Sequence, residues 1–210
     1  PLGQSLRALS TENRGFARIV MNTFLFNLGA WMINPLFIIF YVRNLQATDG
    51  WIGQLGTLAH IGVIVGYWLW RRIIRQVGES KALLIALPLV AIHPFLVAAF
   101  PHLTFILFVG FLINMLAPGV DLSHSVIFLD LLPAGKKHSL TAIYSTVMHV
   151  GAFVCPLIGV LLADRIGIIP TLLIGGAMRF VGAALFYLFP VKPLAGGATP
   201  LLIPRAMRGR

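Results

Sequence analysis

The sequence predicts an all-α membrane protein whose six helices cross the bilayer. Two features of composition lead to this prediction: 58% of the 210 residues are hydrophobic and only 10% are charged, and the mean hydropathy is +0.90. A soluble domain of this size carries more charged surface. The third observation is that the apolar residues form six runs, each close to the roughly 20 helical residues that cross about 30 Å of hydrocarbon.

These six runs set the predicted organisation of the chain. They cover about 20–42, 51–70, 82–100, 103–131, 140–163 and 168–190. A transmembrane β-barrel is disfavoured, because the runs are continuous and lack the two-residue alternation of a membrane strand. We expect a cytoplasmic N-terminal segment over 1–15, a transmembrane bundle over 16–190, and a disordered basic cytoplasmic tail over 191–210.

Positive charges are concentrated in alternate connections between the runs. Thirteen of the 16 Lys and Arg residues lie before the first run, after the second, after the fourth or in the tail, whereas two lie in the other connections. Because Lys and Arg stay on the cytoplasmic side during insertion, both termini and the connections at 71–81 and 132–139 are predicted to be cytoplasmic. This pattern indicates a bacterial-type plasma membrane with anionic lipid head groups as partners, and argues against a nucleic-acid binder.

The first two runs also carry local helix signals. Pro35 frees a backbone carbonyl inside the first run, so a bend is expected there. Thr48 or Asp49 is a candidate cap for the second helix. In that helix, Gly62 and Gly66 lie four residues apart on one face, which would let another helix approach closely.

Later runs add two constraints. The fourth run would extend about 43 Å as a helix, so it must tilt, bend at Pro118-Gly119 or project into the cytoplasm. The single cysteine, Cys155, lies in the fifth run, which excludes an internal disulfide.

The chain contains a weak internal repeat with an offset of 89 residues. The offset aligns Thr57 with Thr146, His60 with His149, Gly62 with Gly151, and Gly78 with Gly167. It places the second run on the fifth and the third on the sixth, and the members of each pair cross the membrane in opposite directions. This relation is typical of the inverted three-plus-three repeats of transporters.

Each run has a polar or charged residue near its middle. These residues are Asn34, His60, His93, Asp121, His149 and Arg179. A charge at mid-bilayer costs roughly 2.5–3.5 kcal/mol on insertion scales, so Asp121 and Arg179 should face a partner or an aqueous cavity. Asp121 and His124 are three residues apart, share a helix face and could hold a transferable proton.

Structural roles compete with these interpretations. If the fourth membrane span ends near His124, Asp121 is only interfacial. His93 precedes a proline, which favours a packed histidine that bonds a freed carbonyl. His60 and His149 neighbour small residues and could serve as interhelical hydrogen-bond donors.

Patterns of catalytic residues are absent from the sequence. It has no His/Cys/Glu cluster with metal-ligand spacing, no glycine-rich loop before Lys-Ser or Lys-Thr, and no serine or cysteine with a base placed near it. The sequence therefore predicts a protein that is not an enzyme, and Asp121 with His124 is the single candidate pair for a membrane-embedded hydrolase.

Several short motifs, taken in order, resemble one half of a major facilitator superfamily transporter, most closely the C-terminal half. Residues 34–45 and 52–53 resemble the first span and the outer loop that follows it. The connection after Gly66 falls where the family has a cytoplasmic loop with a glycine followed by Asp-Arg-x-Gly-Arg-Arg. Gly78 matches this motif, whereas Arg75 and Gln76 stand at the Asp and Arg positions.

The fifth run extends the resemblance. Residues 133–144 resemble the cytoplasmic start of the penultimate span of a half. The stretch Gly151-x-x-x-Cys155-Pro156-x-x-Gly159 resembles the Gly-Pro-x-x-Gly-Gly helix motif of antiporters, with Cys155 and Val160 in place of glycines.

The resemblance covers about residues 16–190 and implies secondary transport of a small solute by alternating access, with no cofactor and no covalent chemistry. Proton coupling is one form of this hypothesis. The expected partners are the solute, protons, the lipid bilayer and a second six-helix half, missing here or on another chain. The alternative hypothesis is a non-transporting six-span scaffold or assembly partner.

Two sets of residues follow from this hypothesis. The substrate or proton pathway would include Asn34, His60, Asp121, His124 and His149. Structural or gating positions would be Gly66, Arg71, Arg72, Gly78, Gly151, Pro156, Gly159 and Arg179. Because the resemblance places the last span of a half outside the cavity, a structural ion pair is favoured for Arg179.

Overall fold

The chain folds into a bundle of long helices, which confirms the prediction of six spans. The computed structural model describes residues 14–189, so most of the predicted N-terminal segment and the predicted tail lie outside the described residues. The helices are α1 (Arg14–Ile39, continued by a π-helical turn over Phe40–Asn44), α2 (Asp49–Val77), α3 (Glu79–Ala91), α4 (His93–Ala99), α5 (Leu103–Asp130), α6 (Lys137–Ile166, after a 3-10 turn over Ala134–Lys136) and α7 (Ile168–Leu188). With α3 and α4 counted as one span, six segments of the described chain are long and apolar enough to cross a membrane.

Helix α2 is longer than the apolar run that predicted it. The run ends near residue 70, but the helix continues to Val77 through three arginines. Arginine is a good helix former, so the helix extends beyond the apolar run. At the other end, the predicted cap is confirmed, because Thr48 Oγ1 accepts a hydrogen bond of 3.2 Å from the Trp51 backbone N–H.

The third span is interrupted near its middle. Helix α3 ends at Ala91 and α4 begins at His93, with Pro94 in its first turn. A proline has no backbone N–H to continue the hydrogen bonds of the preceding helix, so a new helix begins there. The His93 ring packs against the Phe37 ring at a centroid distance of 4.6 Å, which agrees with its interpretation as a packed histidine.

Helix packing follows the predicted inverted repeat. Helix α2 packs against α5, and α1 packs against α6; α3 packs against α5, and α1 packs against α7. Exchanging the first three spans for the last three converts the α2–α5 pair into the α6–α1 pair, and the α3–α5 pair into the α7–α1 pair. The contact pattern therefore has the two-fold relation that a three-plus-three repeat requires.

The 89-residue offset of the sequence repeat recurs in the backbone. Gly78 ends α2 with φ 84° and ψ 160°, and Gly167 ends α6 with φ 91° and ψ 161°. Side chains related by the 89-residue offset also make the same kind of hydrogen bond. The hydroxyl groups of Thr57 and Thr146 each donate a hydrogen bond of 2.9 Å to the carbonyl oxygen four residues earlier. The repeat is thus a structural relation as well as a sequence pattern.

Glycines allow the closest helix contacts, as predicted for Gly62 and Gly66. A Cβ at Gly62 would lie 2.5 Å from the carbonyl oxygen of Phe111 on α5, and one at Gly66 would overlap another α5 carbonyl oxygen. On α6, a Cβ at Gly159 would overlap the Met32 carbonyl oxygen of α1. These contacts explain why α2 approaches α5, and α6 approaches α1, at backbone distance.

The core divides between the two ends of the bundle. One cluster contains Phe16, Leu87, Phe128 and Phe186. We call its side of the bundle the basic end, because the exposed side chains of Arg71, Arg72, Arg75, Lys81, Lys136 and Lys137 lie there. A second cluster, with Phe40, Trp51, Ile106 and Leu172, forms the core at the opposite end.

Candidate functional site

A cavity of about 470 Å³ lies toward the basic end of the bundle. All six spans contribute to its walls. The lining residues are Thr23, Phe26, Asn27, Tyr67, Leu83, Leu87, Val120, Asp121, His124, Ser125, Phe128, Leu129, Tyr144 and Phe186. This cavity contains two of the predicted pathway residues, Asp121 and His124.

One face of α5 supplies the most polar wall. Asp121, His124, Ser125 and Phe128 follow the spacing of three and four residues that places side chains along one side of a helix. Because α5 continues to Asp130, Asp121 lies about 14 Å from the end of the helix at 1.5 Å per residue. Helix α5 therefore continues well beyond His124.

Asp121 is the one acidic residue among the described residues that line the cavity, and no Lys or Arg is among them. Its side chain is exposed to the open space of the cavity. A carboxylate in such a position is free to meet a solute or a proton.

His124 is held in place by hydrogen bonding and by ring contacts. Its Nε2 lies 2.8 Å from Thr23 Oγ1 on α1, within hydrogen-bond distance. The imidazole is stacked with Phe128, at 6.0 Å between centroids, and with Tyr144 of α6, at 5.9 Å. His124 therefore links α1, α5 and α6 at the cavity wall.

The other predicted pathway residues lie away from this cavity. Asn34 is exposed on α1. His60 Nδ1 donates a hydrogen bond of 2.7 Å to the Gly56 carbonyl oxygen, and His149 Nδ1 donates one of 2.6 Å to that of Ser145. These bonds lie within α2 and α6, so they are not the interhelical bonds that we considered. His149 also lines a shallow depression on the exposed side of α6.

Arg179 packs against an aromatic ring. Its guanidinium carbon lies 4.8 Å from the centroid of the Phe26 ring, a cation–π contact. Within the described chain, Arg179 Nε is buried without a hydrogen-bond partner. The expected structural ion pair is thus replaced by a ring contact between α7 and α1.

The remaining predicted gating residues occupy packing or surface positions. Gly151 lies against the rings of Phe24 and Trp31, and Gly66 lies against α5. The Arg72 guanidinium carbon lies 3.8 Å from the Trp68 ring centroid, and Arg71 is exposed. Helix α6 continues through Pro156 without interruption.

Sequence reasoning missed three cavity residues that the structure makes prominent. Thr23 and Asn27 lie four residues apart on α1, and this polar spacing was a signal available in the sequence. Tyr144 lacked such a signal, because its role depends on where α6 meets α5.

Comparisons with known proteins assign the family. No curated protein matches the chain. A family model described as Major Facilitator Superfamily matches residues 19–202. The chain belongs to the Major Facilitator Superfamily. As a member of the superfamily it is an integral membrane protein of a transporter family, and this family moves small solutes across the lipid bilayer and is generally non-enzymatic. The match runs from within α1 past the end of α7, so it includes every helix that contributes to the cavity.

Proposed function

We propose that the chain acts as one six-helix half of a secondary transporter that moves a small solute by alternating access, with proton coupling through Asp121. The observation that carries this proposal is a cavity formed by all six spans of a superfamily member, with one acidic side chain in its wall. His124 serves on the same proton pathway, because it lies one helical turn from Asp121 and contacts α1 through Thr23.

The exposed sides of α2 and α6 favour a second six-helix bundle as the partner of this one. In their most apolar windows, 11% of α2 and 22% of α6 is buried inside the bundle, compared with 33–44% for the other four spans. These two helices are related by the internal repeat. We therefore expect them to form most of the contact with a second bundle, on another part of the protein or on another chain.

Polar side chains on these exposed sides favour protein or water over lipid as their neighbour. His60 on α2 and His149 on α6 are exposed at membrane depth, as are Thr57 and Thr146. Polar side chains in lipid are costly, and those within membrane spans usually face a bundle interior or an aqueous pathway. Together with Asn34 on α1, the two histidines would therefore line the route between the two halves.

The proposed gating residues divide between helix contacts and a helix end. Gly66, Gly151 and Gly159 set how closely neighbouring helices approach, with Pro156 between the two α6 glycines. Gly78 sets the corner between α2 and α3, beside the surface residues Arg71 and Arg72. Arg179 would fix α7 against α1 through Phe26.

Transport by the complete protein in proteoliposomes tests this proposal. A panel of small solutes is assayed for accumulation driven by a proton gradient and for exchange without a gradient. Asp121→Asn should abolish driven accumulation and retain exchange, because the amide cannot release a proton. The matched control is Asp130→Asn on the same helix, which should retain both activities.

Two results would contradict the proposal at different levels. Unchanged driven accumulation by Asp121→Asn would remove the coupling role of this residue. Absence of movement for every solute would instead favour a non-transporting scaffold.

A further inference from the structure

Resting on the proposed transport function, we propose that the cavity selects a monovalent organic cation with a large apolar or aromatic surface. The juxtaposition that carries this inference is one cavity wall that holds both the Asp121 carboxylate and the contacting rings of His124, Phe128 and Tyr144.

The charge of the cavity wall favours a cation. Asp121 has no ion pair among the described residues, and the described lining residues include no Lys or Arg. An anion would therefore meet a carboxylate with no compensating charge at the wall. A cation would meet a partner of opposite sign in a partly enclosed site, where charges interact more strongly than in water.

Three rings in the same cavity wall as Asp121 extend this preference. The Phe128 and Tyr144 centroids are 4.5 Å apart, and both rings contact His124. The faces of phenyl and phenol rings carry negative potential and attract cations, most strongly where water is excluded. They also offer apolar surface, which an organic cation can cover and a hydrated inorganic ion cannot.

Arg179 does not cancel this preference. The Arg179 guanidinium lies over the Phe26 ring and is not part of the cavity wall. Its contact occupies the Phe26 ring, so the rings available to a ligand cation are those of Phe128 and Tyr144.

The volume of the cavity and the single carboxylate in its wall limit the class of cation further. A cavity of about 470 Å³ falls within the roughly 300–1,000 Å³ typical of sites for drug-sized ligands. One carboxylate balances one positive charge. A metal cation such as Ca²⁺ would require about six to eight oxygen ligands, which a single carboxylate does not supply.

Binding of two ions that match in shape and differ in charge tests the inference. The purified chain in nanodiscs is titrated with tetraphenylphosphonium, a permanent cation, and with tetraphenylborate, its anionic counterpart. We expect saturable binding of the cation and no competition by the anion. Asp121→Asn should weaken cation binding by about tenfold or more, as expected for loss of an ion pair in a partly enclosed site.

Two matched comparisons separate this site from general partitioning. Asp130→Asn, which removes an acidic residue outside the cavity wall, should leave cation binding unchanged. Tyr144→Phe should retain most of the affinity because it retains the ring face, whereas Tyr144→Leu should lose severalfold.

Equal binding of the two ions, or equal weakening by Asp121→Asn and Asp130→Asn, would overturn the inference. The assay uses no gradient, so its outcome is independent of transport. A protein that transports a solute but does not bind tetraphenylphosphonium would refute the substrate class alone. One that binds the cation at Asp121 but moves no solute would refute the transport proposal alone.

Discussion

Gly78 occupies a backbone conformation that other residues rarely adopt. Its angles, φ 84° and ψ 160°, permit the chain to leave α2 and enter α3 within one residue. The Gly78 N–H still donates to the Ile74 carbonyl oxygen, at 2.8 Å, so that the last turn of α2 is closed. No atom would block a Cβ at this position. The requirement for glycine is thus one of backbone angle and not of space.

Substitution of Gly78 should therefore reduce stability through backbone strain alone. Gly78→Ala is expected to lower the free energy of unfolding by about 1–3 kcal/mol, the cost of this backbone region for a residue with a Cβ. The control is Gly53→Ala, at a helical position of α2 with open space around it. This control should raise stability by up to about 1 kcal/mol, because alanine is the better helix former. Unfolding of both variants in detergent, followed by circular dichroism, measures the change in free energy. Equal changes for Gly78→Ala and Gly53→Ala would contradict the role of backbone strain at Gly78.

Individual site residues differed in how far the sequence revealed them. Asp121 and His124 were predictable, because their spacing places them on one face of any helix and a charge inside a membrane span is rare. Their partner Thr23 is 101 residues from His124 in the chain. Which faces meet over such a separation is decided by tertiary packing, so the polar spacing of Thr23 and Asn27 marks a face of α1 without identifying its partner. The same applies to Tyr144.

Helix α6 lies against α1 along a line of small residues. Gly151, Cys155 and Gly159 are spaced four residues apart, and all three are buried. Gly159 meets the backbone of Met32 directly. Since Cys155 lies between the two glycines and only 5% of it is exposed, the single cysteine reports on the closeness of these helices.

A larger side chain at Gly159 should separate α6 from α1 and expose Cys155. For Gly159→Leu, we expect the rate of Cys155 labelling by a small maleimide to rise roughly tenfold, because overpacking makes local opening easier. Gly56→Leu is the matched control, since Gly56 on α2 has no neighbouring atom within 4 Å of an added Cβ. This control should leave the labelling rate unchanged. A similar rate for both variants would show that Gly159 does not control the contact.

The sequence predicted that each membrane-spanning helix exists better than it predicted where the helices end or are interrupted. Run length alone was enough to find each span, because a helix that crosses hydrocarbon must be continuously apolar. The extension of α2 to Val77 was missed, since arginines end an apolar run without ending a helix. Pro35, Pro118 and Pro156 lie inside continuous helices, whereas Pro94 begins a new one. Local sequence does not separate these cases.

The molecule as a whole has two unlike ends. Within the described chain, seven Lys and Arg side chains, including Arg18, are exposed at the basic end, whereas only Arg43 and Arg165 are exposed at the opposite end. Positive residues resist translocation, so the basic end is predicted to face the cytoplasm. This orientation decides from which side the cavity is reached.

Labelling of introduced cysteines from one side of the membrane tests this orientation. In a Cys155→Ala background, Arg75→Cys and Lys137→Cys should react with an impermeant maleimide only after the membrane is permeabilised. Asp49→Cys and His102→Cys, in the opposite connections, should react in intact cells. All four positions are exposed in the structure, so a failure to react reports location. Reaction of Arg75→Cys in intact cells would reverse the predicted orientation.

Helices α1 and α7 are in close backbone contact next to the cavity. Just beyond the cavity residues of α1, a Cβ at Gly29 would overlap the Gly175 carbonyl oxygen, and within the described chain this joint is sealed by main-chain atoms. For a solute that reaches Asp121 by the proposed route, this backbone contact would block passage between α1 and α7. The proposed route would then continue along the exposed sides of α2 and α6, and a second half would be needed to enclose it.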